Sequence, residues 1–223
     1  MSLRHEHKHA VSYSDRCVLR QRLSAVMKPD KNGDNGKYKI RSLYFDNMYD
    51  SALREKIDGV NIREKFRLRY YNGDLSYIVL EKKSKINGLC KKESAVISLQ
   101  QASDILSGNI EWMKESEVNL IGEMYSKMHS KGLKPKTIVD YTREAFVFTA
   151  GNVRVTLDYD IRTGIRCTDF LNPDSVTVPV RDNSVILEVK WDEFLPETIR
   201  RAVSIPNGRR QAYSKYAACR VYG

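Results

Sequence analysis

Charged and apolar residues alternate along most of the extended segments of this chain. The clearest case spans residues 63–71. Cations there occupy every second position and apolar side chains the positions between: Arg63, Lys65, Arg67 and Arg69 against Phe66, Leu68 and Tyr70. Successive side chains of a strand point to opposite faces. The pattern therefore predicts a strand with one cationic face and one apolar face.

A second strand follows after a tight turn at Asn72-Gly73-Asp74, where Asn-Gly supplies the positive φ angles that a hairpin needs. Its alternation continues the pattern, with one charged set and one mainly apolar set: Glu81, Lys83 and Lys85 against Ile78, Leu80 and Lys82. A row of cations repels itself unless solvent or a polyanion offsets the repulsion. A solvated outer face is the alternative, and the hairpin alone favours neither.

The same alternation recurs elsewhere and predicts about eight strands in total. The further strand segments are residues 4–11, 39–46, 89–98, 134–148, 153–158 and 185–190, with a turn at Asn87-Gly88. Amphipathic helices are predicted over 15–27, 51–57, 98–108, 112–129 and 209–220, with a short helix starting at Pro196.

These elements have to bury their apolar faces. A β-sandwich would leave the helices nothing apolar to cover. We therefore predict an α+β fold in which an eight-stranded antiparallel β-barrel has helices packed on the outside and charged faces lining the lumen. Residues 1–223 would form a single domain of this kind.

Composition narrows the partner class. The formal net charge is +10 at pH 7, which points to an anionic partner such as nucleic acid, membrane headgroups or phosphorylated molecules. The four cysteines are scattered, which suits a reducing compartment. No apolar run has transmembrane length and no signal peptide is evident, so a soluble, cytoplasmic protein is expected.

Three alternating histidines, His5, His7 and His9, share one face of the first predicted strand, opposite Glu6 and Lys8. Alternating histidines invite a metal site. Half-buried aromatic packing is the favoured interpretation, because no carboxylate can be assigned to orient the rings.

Several short motifs, taken together and in order, resemble the polyphosphate polymerase domain of the vacuolar transporter chaperone family, a branch of the triphosphate tunnel metalloenzymes. They span nearly the whole chain and are individually weak: Glu6-x-Lys8, Ile40–Asp46, Arg63–Tyr70, Leu80–Lys83, Tyr141–Phe146, Arg154–Asp158, Leu187–Lys190 and Ser214-Lys215-Tyr216.

This resemblance implies an eight-stranded tunnel and transfer of the γ-phosphoryl group of ATP onto a growing inorganic polyphosphate chain, with Mn²⁺ or Mg²⁺. The basic residues that it assigns to the phosphates are Lys8, Arg67, Arg69, Lys83, Arg143, Arg154 and Lys215. Further candidate binding residues are Lys190, Arg41 and, by its parity with Ser94, Lys92, for which Lys91 is the alternative. The metal ligand resembles Glu188, with Glu6 as a second candidate. Arginine forks, mobile lysines and a carboxylate-bound hard cation suit phosphoryl transfer.

Some of these assignments stay open on the residues alone. Glu6 and Glu81 either assist the metal or pair with tunnel cations, and pairing is favoured. Lys190 is either a phosphate ligand or the charge partner of Glu188. For Arg41, alternation would also place apolar neighbours inside the tunnel, so the register of its strand is undecided.

One departure from the superfamily bears on the reaction. Hydrolytic members open with Glu-x-Glu-x-Lys, whereas Arg4 stands at the first of these positions here. This weakens, without excluding, a triphosphatase that hydrolyses inorganic or nucleoside triphosphate.

Two non-catalytic functions are also considered. One is a polyphosphate-binding module. The other, nucleic-acid binding, is disfavoured because the aromatic residues lie opposite the cations, where bases cannot stack on them. Transport of a product across a membrane would need a partner protein, and the oligomeric state stays open.

Overall fold

The computed structural model describes residues 4–86, 89–180, 185–205 and 213–220. The strands in these ranges belong to one sheet: β1 (His5–Val11), β2 (Lys28–Pro29), β3 (Lys37–Asp46), β4 (Ile62–Tyr71), β5 (Asp74–Ile86), β6 (Leu89–Ile97), β7 (Lys134–Phe148), β8 (Val153–Thr163), β9 (Val178–Pro179) and β10 (Val185–Trp191). Its main path has the order β1-β10-β8-β7-β3-β4-β5-β6, with β2 beside β7 and β9 beside β8.

The helices in the described ranges are α1 (Tyr13–Val26), α2 (Ser51–Ile57), α3 (Leu99–Ser107), α4 (Asn119–Lys131), α5 (Glu197–Ala202) and α6 (Lys215–Arg220). Short 3-10 helices occupy Glu111–Glu115 and Ala150–Asn152. No helix in these ranges is both long and apolar enough to cross a lipid bilayer.

The predicted α+β class is confirmed, with helices added to an antiparallel sheet whose main path has eight strands. The hairpin turn is also confirmed, since Asn72 and Gly73 have φ angles of 51° and 78°. The predicted turn at Asn87-Gly88 and the start of the predicted C-terminal helix lie outside the described residues.

One predicted helix is wrong in its continuity. The segment 112–129 is split between the 3-10 helix Glu111–Glu115 and α4. Ser116 has an extended backbone, and its hydroxyl accepts a hydrogen bond from the Val118 N–H at 3.3 Å. A serine side chain that satisfies a nearby backbone donor offers the chain an alternative to the helix.

The chain divides into two compact units. Unit 1 consists of the described residues within 1–39, 141–161 and 179–214. Unit 2 consists of those within 40–140, 162–178 and 215–223.

Unit 1 is built on the apolar faces of β8 and β10. Ser12 caps α1 through a reciprocal pair of hydrogen bonds with Asp15, which satisfies free backbone donors at the start of the helix. Leu19 and Leu23, one turn apart, place the apolar stripe of α1 against this core, where both are buried. The opposite faces of β8 and β10 carry the charged residues.

Unit 2 repeats this arrangement with other elements. Leu68 of β4 and Leu80 of β5 lie directly opposite each other and are fully buried. Ile105 of α3 and Met124 of α4 belong to the same core cluster. The helices thus take up the apolar face of the β4–β5 hairpin, and the cationic face is left for other contacts.

Truncation of Leu68 tests the role of this core. Leu68→Ala should lower the free energy of unfolding by about 2–5 kcal/mol, because it leaves a cavity in a site with no solvent exposure. Chemical denaturation measures the loss. Ile62→Ala, on the same strand but 68% exposed, is the control and should change stability by less than about 0.5 kcal/mol. Equal losses in the two variants would contradict the assignment of Leu68 to the core.

Candidate anion-binding site

Strands β4, β5 and β6 of unit 2 share a face that is rich in cations. Lys65 of β4 lies directly opposite Lys83 of β5, which lies directly opposite Lys92 of β6. Opposite residues of antiparallel strands project to one face, with Cβ atoms about 5 Å apart. These three lysines form what we call the lysine row.

Further charges flank the lysine row along the strands. Arg63 lies opposite Lys85 on one side, and Arg67 lies opposite Glu81 on the other. Like charges at directly opposite positions destabilise a sheet. This cationic face brings together four of the predicted binding residues: Arg67, Arg69, Lys83 and Lys92.

Glu81 is the carboxylate at the centre of the cationic face. It accepts a hydrogen bond from Arg67 (Nε to Oε2, 2.6 Å) and pairs with Lys92, and Arg69 lies 3.6 Å away. Burial alone would raise the pKa of Glu81, but these three cations outweigh burial and hold the pKa far below its usual range. Glu81 therefore stays ionised and forms ion pairs with these cations.

Tyr44 of β3 joins this face to the C-terminal helix. Its hydroxyl accepts a hydrogen bond from Arg67 at 2.8 Å, and its ring stacks on Tyr216 at 5.0 Å between centroids. The Tyr216 hydroxyl in turn donates to Asp46 Oδ2 at 2.7 Å. Lys215, a predicted binding residue, is the first residue of α6 and immediately precedes Tyr216.

Unit 1 presents a second charged face, formed by β1, β10 and β8, which we call the mixed face. Pairing across these strands creates two rows of residues: Lys8, Glu188 and Thr156 in one, and Glu6, Lys190 and Arg154 in the other. Arg143 of β7 pairs with Asp158, two residues after Thr156 on β8.

Each predicted cation of the mixed face has a carboxylate partner. Lys8 pairs with Glu6 at 2.6 Å and Lys190 with Glu188 at 2.7 Å. Arg143 makes a bidentate contact with Asp158 at 2.6 and 2.8 Å. Arg154 donates to Asp30 at 2.8 Å and to the Tyr38 hydroxyl at 2.8 Å. Cations and carboxylates are thus balanced here, unlike on the cationic face.

Burial and charge act in opposite directions on the basic groups of the mixed face. Burial lowers the pKa of Lys8, but the Glu188 and Glu6 carboxylates outweigh it and leave the pKa above its ordinary value. Burial likewise opposes the charge on Arg143, whose pKa is raised by Asp158. Both groups therefore remain cationic at neutral pH.

Arg41 is not brought together with the other predicted residues. It lies opposite Tyr70 on β4, on the face of the hairpin that carries the core. Its guanidinium binds Asp140 through two hydrogen bonds, at 2.9 and 2.8 Å, and donates to the Asn172 carbonyl at 2.6 Å. In this position Arg41 fastens a loop of unit 2, and the polar side chain that faces the cationic face is its neighbour Ser42.

The residues at the start of β1 pack against the end of β10. The His5 ring stacks on Trp191 at 5.3 Å between centroids, and the His7 ring meets it edge-on at 4.7 Å. Arg4 pairs with Asp192 at 2.7 Å. Arg4, two residues before Glu6, is thus held by a carboxylate of unit 1.

The predicted metal ligands, Glu188 and Glu6, are two carboxylates. The described residues contain no cluster of three His, Cys, Asp or Glu side chains that would enclose an ion. Glu6 and Glu188 lie diagonally on the same face of adjacent strands, two residues apart in register. Two carboxylates suit a hard divalent cation when phosphate oxygens and water complete its coordination. The residues therefore fit a metal that arrives with a phosphate ligand.

Sequence reasoning missed several residues that hold the predicted ones in place. Tyr44 was detectable, because alternation in β3 places Ser42, Tyr44 and Asp46 on one polar face. Asp30 and Tyr38 carried no such signal, since both fall between the predicted helix 15–27 and the predicted strand 39–46. Their role depends on contacts with Arg154, which is more than a hundred residues away in sequence.

The chain is thus an α+β protein with one antiparallel sheet, and lysines and arginines are aligned across its strands. The chain belongs to the VTC domain family, whose model matches residues 3–222. The predicted family membership is confirmed.

No curated protein matches the chain in sequence. Among solved structures, it is similar to a candidate adenylate cyclase from Vibrio parahaemolyticus, with 11% identity over 90% of this chain and 82% of that chain and a TM-score of 0.47. Another candidate adenylate cyclase, from Bacillus halodurans, has 14% identity over 85% and 80% of the two chains and a TM-score of 0.47. Similarity at this level supports no conclusion about activity.

The buried Glu81 predicts a specific dependence of stability on pH. Glu81→Gln should lower the free energy of unfolding at pH 7 by about 3 kcal/mol, because it leaves buried cations without their carboxylate. The folded-state pKa lies below the ordinary value of 4.5. As pH falls below 4.5, the unfolded chain takes up this proton first, so the wild type loses stability and the difference between the two proteins shrinks.

Denaturant unfolding between pH 7 and pH 3 measures this difference. Glu117→Gln, at an exposed position, is the control and should follow the wild type throughout. A wild-type advantage over Glu81→Gln that stayed constant with pH would show that Glu81 is not held ionised by its neighbours.

Proposed function

We propose that this chain catalyses metal-dependent transfer of the γ-phosphoryl group of ATP to a growing inorganic polyphosphate chain. Membership of the VTC domain family supports a phosphate-chain substrate. The observation that carries the proposal is the lysine row, in which three cations face one another across adjacent strands. An elongated polyanion would contact the whole row at once.

Charge on the cationic face supports a multiply charged ligand over a single phosphate. In the described part of unit 2, this face carries many more cations than carboxylates. The cations are Arg63, Lys65, Arg67, Arg69, Lys83, Lys85 and Lys92, and the carboxylates on the same positions of β5 and β3 are Glu81 and Asp46. Asp46 already accepts hydrogen bonds from Tyr216 and from backbone of α2. Glu81 is shared by Arg67, Arg69 and Lys92.

The roles of the individual side chains follow from their chemistry. Arg67 and Arg69 present planar forks that grip two phosphate oxygens at once, and Lys83 and Lys92 act as mobile point charges. Phosphoryl transfer requires the protein mainly to position the phosphates and to neutralise the charge that develops.

The mixed face supplies the carboxylates. Glu188 and Glu6 would hold Mn²⁺ or Mg²⁺, which when bound polarises the phosphoryl oxygens. Lys190 and Lys8 pair with these same carboxylates. When Glu188 and Glu6 bind a metal ion, Lys190 and Lys8 would be released to bind phosphate oxygens.

Polyphosphate synthesis tests the proposal directly. Purified protein with ATP and Mn²⁺ should produce polyphosphate chains, detected by gel electrophoresis. Glu188→Ala should reduce the rate by roughly 100-fold or more, because one carboxylate for the metal is lost. Glu197→Ala, on exposed α5, is the control and should retain activity.

The same assay separates the alternatives. Release of phosphate without chain growth would identify a triphosphatase. Tight binding of tripolyphosphate with no turnover at any divalent metal would identify a binding module. Full activity of Glu188→Ala would overturn the assignment of the metal ligand.

Adjacent lysines on β5 provide a matched test of the cationic face. Lys83 lies in the lysine row, whereas Lys82 projects to the other side and pairs with Glu123 of α4. Lys83→Met should weaken tripolyphosphate binding about tenfold, as expected for one charge-assisted contact. Lys82→Met should leave the affinity unchanged while lowering stability. Calorimetric titration measures both affinities, and equal effects would contradict the assignment of faces.

A further inference from the structure

A buried hydroxyl on the mixed face has no hydrogen-bond partner. Thr156 of β8 is 4% exposed, and its Oγ1 makes no hydrogen bond to any described residue. Buried polar groups nearly always have a partner, because leaving one unmade costs free energy. An orphaned hydroxyl in a strand that could equally hold valine therefore calls for a ligand or an ordered water.

The position of Thr156 points to a ligand. Its strand neighbours Val155 and Leu157 lie in the core of unit 1, so the Thr156 side chain projects to the opposite, mixed face. There it lies directly opposite Glu188, which lies directly opposite Lys8. Two strand spacings separate Lys8 from Thr156, or roughly 10 Å between Cα atoms. Lys8 and Thr156 therefore flank Glu188 in one row across three strands, on the face that carries the charged residues.

Two other buried threonine hydroxyls have partners within the described part of the chain. Thr163 donates to the Cys219 carbonyl at 3.0 Å, and Thr177 accepts from Arg162 Nε at 3.1 Å. The Tyr70 hydroxyl also has no partner among the described residues, but Tyr70 lies in the apolar core of unit 2. Thr156 combines an unsatisfied hydroxyl with a face where charged ligand-binding side chains converge.

We propose that the Thr156 hydroxyl donates a hydrogen bond to a phosphoryl oxygen of the bound phosphate chain, beside Lys8 and Glu188. This inference rests on the proposed function, which supplies the class of ligand. It makes Thr156 a binding residue of the mixed face. This role explains a threonine at this position, because valine would fill the same volume but could not donate a hydrogen bond to the phosphoryl oxygen.

Binding of inorganic tripolyphosphate in metal-free buffer tests the proposal. Thr156→Val removes the hydroxyl and keeps the shape, and it should raise the Kd about tenfold by calorimetric titration at fixed ionic strength. Thr156→Ser keeps the hydroxyl and should bind within about threefold of the wild type. Thr156→Ala removes the hydroxyl in a second way and should weaken binding as Thr156→Val does.

Thermal unfolding of the ligand-free proteins distinguishes binding from a structural role. Thr156→Val should unfold at the wild-type temperature or above, because it removes an unsatisfied buried hydroxyl. Thr177→Val is the matched control. It breaks hydrogen bonds to Arg162 and Asp140 within unit 2, whereas Thr156 belongs to unit 1, and it should lower the unfolding temperature without changing the Kd.

Two results would overturn the inference. If Thr156→Val bound tripolyphosphate within about twofold of the wild type, an ordered water would account for the hydroxyl. If Thr156→Ser bound as weakly as Thr156→Val, packing and not the hydroxyl would be responsible. A wild-type protein that failed to bind tripolyphosphate at all would instead overturn the proposed function and the inference together.

Discussion

Repulsion between cations across neighbouring strands is the constraint on which the rest of unit 2 depends. The lysine row places like charges where a sheet tolerates them least. The opposite face of the same strands offsets this cost, because Leu68 and Leu80 are buried there with the helices. The buried apolar face thus offsets the repulsion on the cationic face of the same hairpin. Core residues and cations alternate along these strands.

The two units treat their charges differently. On the mixed face every predicted cation has a carboxylate close by, whereas on the cationic face Glu81 serves Arg67, Arg69 and Lys92 at once. Under the proposed function, a bound phosphate chain has to compete with these carboxylates for the cationic side chains. A long polyanion gains more from that exchange than a short or weakly charged anion, because it contacts several cations at once.

Alternation in the sequence was sufficient to assign faces, because a strand has a strict period of two. It placed Arg67, Arg69 and Lys83 on one face, and the register confirms this. For Arg41, alternation left the register of the strand undecided, and charge alone does not reveal that Asp140 and a loop carbonyl bind its guanidinium on the core side. Partners such as Asp30 and Tyr38 were also beyond sequence reasoning, because their contacts depend on the three-dimensional path of loops. The split of the predicted helix at Ser116 reflects a local hydrogen bond that periodicity does not register.

Asp46 has a consequence for how unit 2 forms. Its carboxylate accepts hydrogen bonds from the Ala52 and Leu53 N–H groups at the start of α2, and also from the Tyr216 hydroxyl, 170 residues away in sequence. The first contacts are local and can form as soon as that segment exists, whereas the last requires a long chain to close. On a ribosome, the β4–β5 hairpin emerges well before Tyr216. The strands that carry the cationic face are therefore synthesised before the helix whose tyrosine contacts Asp46.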